Sequence, residues 1–397
     1  MGQITDNLRL LMQKVRFVNR DQTKFFTDLK GRVNGYFKEN QISKNADYRM
    51  VLKTITLVGG YLALYSALFF ITPSYPLLLC LGVLTGFFYS GIGMSVMHDA
   101  NHGAYSRSAK WNRLIGGSIY LLGANRYNWV QKHNVMHHTF TNIDGLDEDL
   151  DNGGLIRLSD QQPRHKMHRF QHLYAWFLYG LITLTWITTK DFKQLQLLKE
   201  HGFGPNDNKQ MNKEIGKVVV GKIFYYAYFI AAPLIFTDIT IGQFIVYFLA
   251  MHYTSGFILS IIFQLAHIVE PIEYPEPNES NTIENSWAVH QLATTADFAR
   301  NSWFLNWYCG GLNYQVEHHL FPNICHIHYH ELSKVVEDAA KEYGVPYNGL
   351  GTFGQAVASH YRQLKRLSYP VTENKNDHDD NDNLNLRSKE KQEPILA

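Results

Sequence analysis

Histidine is over-represented, at 19 of 397 residues, and several fall in patterns that suit metal ligation. "HDANH" sets His98 and His102 at i and i+4, on one face of a helix, so two imidazoles can converge. "HNVMHH" puts His133 and His137 on one face and turns His138 to a neighbouring one. "QVEHH" repeats the arrangement with Gln315, His318 and His319 at i, i+3 and i+4. His267, in "QLAHIVE", is a single candidate, and on spacing alone a lone histidine reads as a satisfied polar residue. Together these imidazoles exceed the four ligands of a structural zinc, which implies two ions. Imidazole suits iron, zinc, copper and nickel alike, so the ligand type does not choose among them. The Glu-x-x-His pairs of soluble di-iron bundles are missing. Asp99, Glu317 and the acidic "DGLDEDLD" that follows the second cluster are expected to orient ring nitrogens by accepting N–H bonds. That acidic run is not a calcium loop. Asp147, Asp149 and Asp151 alternate, but Asn152 stands where such a loop requires glycine.

Long apolar segments must position these clusters. The runs over residues 54–71 and 77–97 carry no charge and are joined by "TPSYP"; each is long enough for a bilayer core of about 30 Å. A second pair runs over 218–236 and from 241 to about 262, joined by "TDIT". The expected fold is therefore an all-α integral membrane protein, with four transmembrane helices in two hairpins. Lys222 lies near the start of its span and is expected to snorkel to the interface. Neither short turn carries Lys or Arg, whereas the N-terminal arm and residues 107–126 and 157–217 carry many. By the positive-inside rule both termini and all three histidine clusters are cytoplasmic. "LIGGSIYLLGA" from Leu114 is too short to cross. "LYAWFLYGLITLTWITT" from Leu173 would, if it crossed, separate the clusters by a membrane, so both read as interfacial helices. His165, His168 and His172 read as part of a basic interfacial face. His326, His328 and His330 are expected near the site without binding metal, and His252, inside the fourth span, is expected to line a substrate channel.

Composition agrees with a membrane protein that carries an imidazole-rich polar part. Hydrophobic residues make up 45% of the chain, yet mean hydropathy is slightly negative, because apolar and polar residues are segregated along it. A net charge of +2 is too small to argue for nucleic acid. Three scattered cysteines form neither a disulfide framework nor a zinc-type pair. The polar N-terminus shows no cleavable signal peptide, and "MGQITD" misses the myristoylation pattern at Asp6. The expected organisation is a cytoplasmic arm (1–49), a membrane domain (50–345), a C-terminal cytoplasmic segment (346–371) and a disordered tail (372–397).

"HDANH", "HNVMHH" with "TN" after it, and "QVEHHLFP" together resemble the three histidine boxes of membrane fatty acid desaturases. The resemblance covers roughly residues 50–345, and the initial Gln of the third box is similar to the front-end, linoleoyl-CoA desaturase-like branch. It implies a cytoplasmic di-iron cap in which O2 and two electrons remove two hydrogens from an unactivated acyl chain to leave a cis double bond. It also implies His98, His102, His133, His137, His138, His267, His318 and His319 as iron ligands, and Gln315 as a ligand or the holder of a water. Asp99, Asn142 and Glu317 would support them. The substrate would be an acyl-CoA or an acyl-lipid. Front-end members commonly carry a fused cytochrome b5 domain with an HPGG motif, which is missing here. A separate donor, a ferredoxin or cytochrome b5, is therefore expected. Arg107, Lys110, Arg113 and Arg126 could dock it, or could serve only as positive-inside anchors. The resemblance places the protein in the inner membrane of a bacterium or the endoplasmic reticulum of a eukaryote. The competing readings are a hydroxylase or ketolase on the same scaffold, and a non-catalytic metal-binding or metal-transport membrane protein. Trp303, Trp307 and Tyr308 are expected among the aromatics around a dry site.

Overall fold

The structure is a computed structural model that describes residues 15–18, 22–205 and 207–370. The expected disordered tail and the opening "MGQITD" lie outside the described residues. Their regular structure is helical, apart from two short parallel pairings. β1 (Arg16–Phe17) joins β2 (Thr282–Ile283), and β3 (Asp297–Phe298) joins β4 (Gly349–Leu350). These pairings tie the N-terminal arm and the C-terminal segment to the body that bears the histidines.

α1 (Thr23–Glu39) is amphipathic. It buries Phe25, Leu29, Val33 and Phe37 along one stripe, against Tyr314, Val316 and Leu320 of the third-box region. Each such side chain, taken out of water, contributes about 1.5–3 kcal/mol. Among the described residues four helices are long and apolar enough to cross a membrane. The first two are α2 (Tyr48–Ala67) and α3 (Tyr75–Asn101), the second passing through a π-helical turn at Ile92–Met97. α4 (Ala109–Gly116) and α5 (Arg126–Trp129) follow, and α5 continues through a π-helical stretch, Val130–His137, into the second box. α6 (Gln171–Tyr179), α7 (Ile182–Thr185) and α8 (Asp191–Glu200) precede the remaining long pair, α9 (Asn208–Phe236) and α10 (Ile241–His267). The rest is α11 (Trp287–Thr294), α12 (Trp303–Tyr308), α13 (Gln315–Leu320), α14 (Tyr329–Tyr343) and α15 (Phe353–Leu367).

The long helices extend beyond the apolar runs that predict them. α2 starts at Tyr48 because the Asp47 side chain caps it, accepting from the Arg49 amide at 2.8 Å, and it stops at Ala67, ahead of the turn before Pro73. α10 has 27 residues, or about 40 Å of helix, against a hydrocarbon core of about 30 Å. The excess carries His267 beyond the apolar stretch.

Two glycines explain how α3 and α10 meet. A Cβ at Gly82 would lie 2.6 Å from the Tyr247 carbonyl oxygen, and one at Gly86 would lie 2.5 Å from that of Met251. Only glycine allows this backbone-to-backbone approach, one helical turn apart, as in small-xxx-small helix contacts. The matched order, 82 with 247 and 86 with 251, makes the two helices parallel. Their C-terminal ends, with His98 and His267, therefore come out at the same level. α2 runs the other way along α3, since Gly60 faces Phe88 and Leu57 faces Gly91.

The stretch from Leu173 is not one helix. It breaks at Gly180, which packs against Tyr253 and Gly256 of α10. Two polar residues differ from expectation. Lys222 does not snorkel: its ammonium is buried and donates to Asp191 (2.5 Å), to the Gly123 carbonyl (2.7 Å) and to the Trp186 carbonyl. A buried ammonium is tolerable only when partnered in this way. His252 is not among the residues that line the cavity beside the histidine clusters. It is fully buried, with Nε2 2.8 Å from the Tyr225 hydroxyl and Nδ1 3.1 Å from Thr183 Oγ1.

Candidate metal centre

The three boxes and His267 converge. One ring nitrogen from each of His98, His102, His133 and His318 falls within 4.8 Å of the others, and the same holds for His137, His267 and His319. His138 stands between the groups, gathering with His318 and His319. All are buried except His102, which is partly exposed. The supports on Nδ1 show why the rings face as they do. His137 Nδ1 donates to the Asp147 carboxylate at 3.0 and 3.1 Å, and His319 Nδ1 donates to Gln291 Oε1 at 2.7 Å. His267 Nδ1 donates to the Thr294 carbonyl at 3.3 Å. Each bond fixes the tautomer and leaves an Nε2 lone pair for a metal.

The Nε2 atoms of His98 and His133 are 3.2 Å apart, and those of His138 and His318 are 3.1 Å apart. Two nitrogens held about 2.1 Å from one ion at right angles would be about 3.0 Å apart. His102 Nε2 and His137 Nε2 are buried with no hydrogen-bond partner. Unpartnered, convergent nitrogens of this kind fit a pair of metal ions. Burial, then the charges of neighbouring imidazoles, hold His102, His133, His138, His318 and His319 well below the ordinary histidine range. They are thus neutral, the form that binds metal. For His137 burial also pulls downward, but Asp147 and Asp149 outweigh it and raise the imidazole above its ordinary value.

The Gln315 side-chain amide lies beside the second group of imidazoles. It lies 2.9 Å from His267 Nε2 and 3.3 Å from His319 Nε2, and its Oε1 is buried and unpartnered. A half-turn of the amide would exchange its two ends, so this is where a carbonyl oxygen or a held water could complete the second group.

The supporting acids are not the ones adjacent in sequence. Asp99 binds His326, accepting from its backbone N–H (3.1 Å) and its Nδ1 (2.8 Å), and comes only within 3.9 Å of His98 Nδ1. His326 in turn lies 2.7 Å from the Lys53 ammonium. Glu317 touches no histidine ring. It points to the far side of α13, where Tyr347 donates to it (3.0 Å) and to Asp297 (2.7 Å). Consecutive helical residues project about 100° apart, so a neighbour of a ligand faces elsewhere. Asn142 acts through the backbone: its φ of 58° turns the chain, its Nδ2 donates to the His267 carbonyl at 2.9 Å, and its amide donates to Asp147 at 2.9 Å. Gln291 and Trp129, whose ring lies 4.6 Å from that of His133, carry no motif that singles them out. Arg107, Lys110 and Arg113 are exposed, whereas Arg126 is half-buried and donates to Asn101 Oδ1 at 2.6 Å. Trp303 is 77% exposed and takes no part in the site, while Tyr308 stacks on Phe87 at 4.0 Å.

A cavity of about 510 Å³ reaches this centre at His98, His133 and Gln315. Met94, Met97, Leu178, Leu259 and Phe263 make much of its wall apolar. The site thus joins a cluster of converging imidazole nitrogens to a largely apolar space.

The fatty acid desaturase sequence profile matches residues 72–351. The chain belongs to the fatty acid desaturase family. It is 35% identical over 356 residues to an acyl-lipid (8-3)-desaturase of Physcomitrium patens, covering 89% of this chain and 73% of that one. It is 34% identical over 363 residues to the sn-1 linoleoyl-lipid 6-desaturase of Synechocystis sp., covering 90% and 99%. An acyl-lipid (8-3)-desaturase of Mortierella alpina is 30% identical over 357 residues, covering 87% and 78%. These relatives agree with the front-end branch that Gln315 marks. The protein is an oxidoreductase, a membrane fatty acyl desaturase.

Proposed function

We propose that this desaturase acts on acyl chains of membrane lipids, at two irons held by the eight histidines with Gln315 beside the second. The observation that carries this is the convergence of eight imidazoles at a largely apolar cavity. The relatives' acyl-lipid names support the substrate class. Iron held there would supply the oxidising power, drawn from O2 and two electrons, that removes two hydrogens from adjacent methylenes.

The chain's own residues prepare that step. Asp147, Gln291 and the Thr294 carbonyl hold three rings in one tautomer, so little reorganisation is needed on loading. Met94, Met97, Leu259 and Phe263 hold a methylene chain and keep water from the reacting carbons. α2 with α3, and α9 with α10, form two membrane hairpins with termini and histidines cytoplasmic, in agreement with the distribution of Lys and Arg. Electrons come from a separate carrier, a ferredoxin or cytochrome b5. Such carriers are commonly acidic, and the exposed Arg107, Lys110 and Arg113 suit one.

The test is expression with a suitable donor, measurement of bound metal and profiling of host lipids beside a His318→Ala control. New double bonds in lipid acyl chains, with about two irons per chain and neither in the control, are expected. Hydroxy acids, or zinc with no lipid change, would overturn the proposal.

A further inference from the structure

Part of the cavity wall comes from Leu155, Leu181, Ile182 and Thr185; Leu155 and Thr185 are exposed, and the other two are half-buried. Thr183, within that segment, donates to the carbonyl of His252, about four helical turns before His267. The loop bearing Leu155 is fastened to α6 and to the turn before it: the Tyr174 hydroxyl donates to the Leu155 carbonyl and His168 bonds the Gly154 carbonyl, both at 2.8 Å. Around the opening stand Phe170, Leu173 and Phe177, each more than half exposed. Phe177 meets Tyr253 of α10, ring to ring at 6.1 Å, so this apolar surface is continuous with a membrane-crossing helix. An exposed apolar cluster of that kind, beside a membrane-crossing helix, suits contact with acyl chains.

The polar groups of the same cavity are informative by their balance. Glu148, Asp149, Asp151 and Asp191 line it against two lysines, Lys132 and Lys190. Lys132 is already paired with Asp149 at 2.5 Å, and Asp191 with Lys222. An excess of carboxylate repels the polyphosphate of a coenzyme A thioester. Asn125, Asn128 and Gln264 also line the wall, and each keeps a buried side-chain atom unpartnered: Asn125 Nδ2, Asn128 Oδ1 and Gln264 Oε1. Neutral amides with spare donors and acceptors match ester carbonyls and hydroxyls.

We infer that the acyl chain enters sideways from the bilayer, between Leu155 and the Leu181–Thr185 segment, while still esterified to a neutral or zwitterionic membrane glycerolipid. The inference rests on the acyl-desaturase reading and specifies how its substrate arrives.

It is tested with the full-length protein in phosphatidylcholine nanodiscs. One arm holds a small fraction of phosphatidylcholine with a mid-chain diazirine; the other supplies a diazirine acyl-CoA from water. Labelled peptides are read by mass spectrometry. The lipid probe should label peptides containing Leu155, Ile182 and Phe263, and the CoA probe should label the Phe263 peptide about tenfold less. Thr185→Trp, at an exposed position, should cut lipid labelling of the Phe263 peptide about tenfold by blocking the opening. Ile182→Trp should do the same, and Thr188→Trp, outside the lining, should not. Equal labelling of the Phe263 peptide by both probes, no labelling of it by the lipid probe, or indifference to both plugs would overturn the inference. Failure of the underlying reading looks different: the probe labels as expected, but the iron-loaded, donor-supplied protein forms no double bond.

Discussion

Replacing Asp147 with Asn should weaken one metal position and spare the other. Asp147 is 2% exposed, and its two oxygens serve three donors. His137 Nδ1 approaches both, the Asn142 amide approaches Oδ2 (2.9 Å), and the Asp149 amide approaches Oδ1 (3.0 Å). An asparagine fits the space but can accept at only one end. Whichever way its amide turns, the NH2 faces a backbone N–H, and stranding such a donor costs about 1–3 kcal/mol. Loss of the carboxylate behind a ligating histidine typically lowers metal affinity about 10–100-fold, or about 1.4–2.8 kcal/mol. The loss should fall on the group of His137, His267 and His319, so metal retained after chelator challenge should drop from about two ions toward about one. Glu317→Gln is the matched control. Burial, then Asp297, holds Glu317 well above its ordinary value, so it is protonated and glutamine imitates it. It touches Tyr347 and no histidine, and its metal content should not change. The assay is elemental analysis of purified protein across a chelator titration. Asp147→Asn with undiminished metal, or Glu317→Gln with an equal loss, would refute the reasoning.

Gln315→His should keep iron bound and change turnover, because it adds a stronger donor where an amide now stands; normal turnover by Gln315→Ala would show that the side chain is only structural. Charge reversal at Arg107, Lys110 and Arg113 should lower kcat/KM for the electron donor, most at low ionic strength, with iron content intact; unchanged kinetics would leave them as membrane anchors. Burial, then the adjacent Lys132, pulls the Lys190 ammonium down to about 7. Because that folded value lies below the unfolded one, stability should rise with pH from about 7 toward about 10.5, and fall as pH drops through 7. Lys190→Met should flatten that slope in unfolding midpoints measured across pH. His252→Phe strands the Tyr225 hydroxyl and should destabilise by about 1–3 kcal/mol, with no change in the products' chain-length profile.

The sequence by itself determined the membrane helices, the three boxes and which of their histidines share a helical face. Each of those rests on a local property: an apolar run long enough for a bilayer, or a spacing that places side chains on one helical face. Gln315 was legible for the same reason, since i, i+3 and i+4 share a face. What supports the boxes was legible only in part: Asp147 lies in the acidic run expected to orient ring nitrogens, but which acid reaches which ring depends on the folded loop. Asp99 and Glu317 stand beside ligands in the chain, yet serve His326 and Tyr347, because adjacent helical residues point apart. Asp147, ten residues after His137, returns to it because Asn142 takes a left-handed backbone conformation and folds the loop back. Gln291 reaches His319 across 28 positions, and nothing local marks it. The common level of His98 and His267 depends on α3 and α10 lying parallel in contact through Gly82 and Gly86. His252 and Lys222 likewise found buried partners on other helices. Contacts between distant segments are chosen by how whole surfaces pack, and no single segment carries that information.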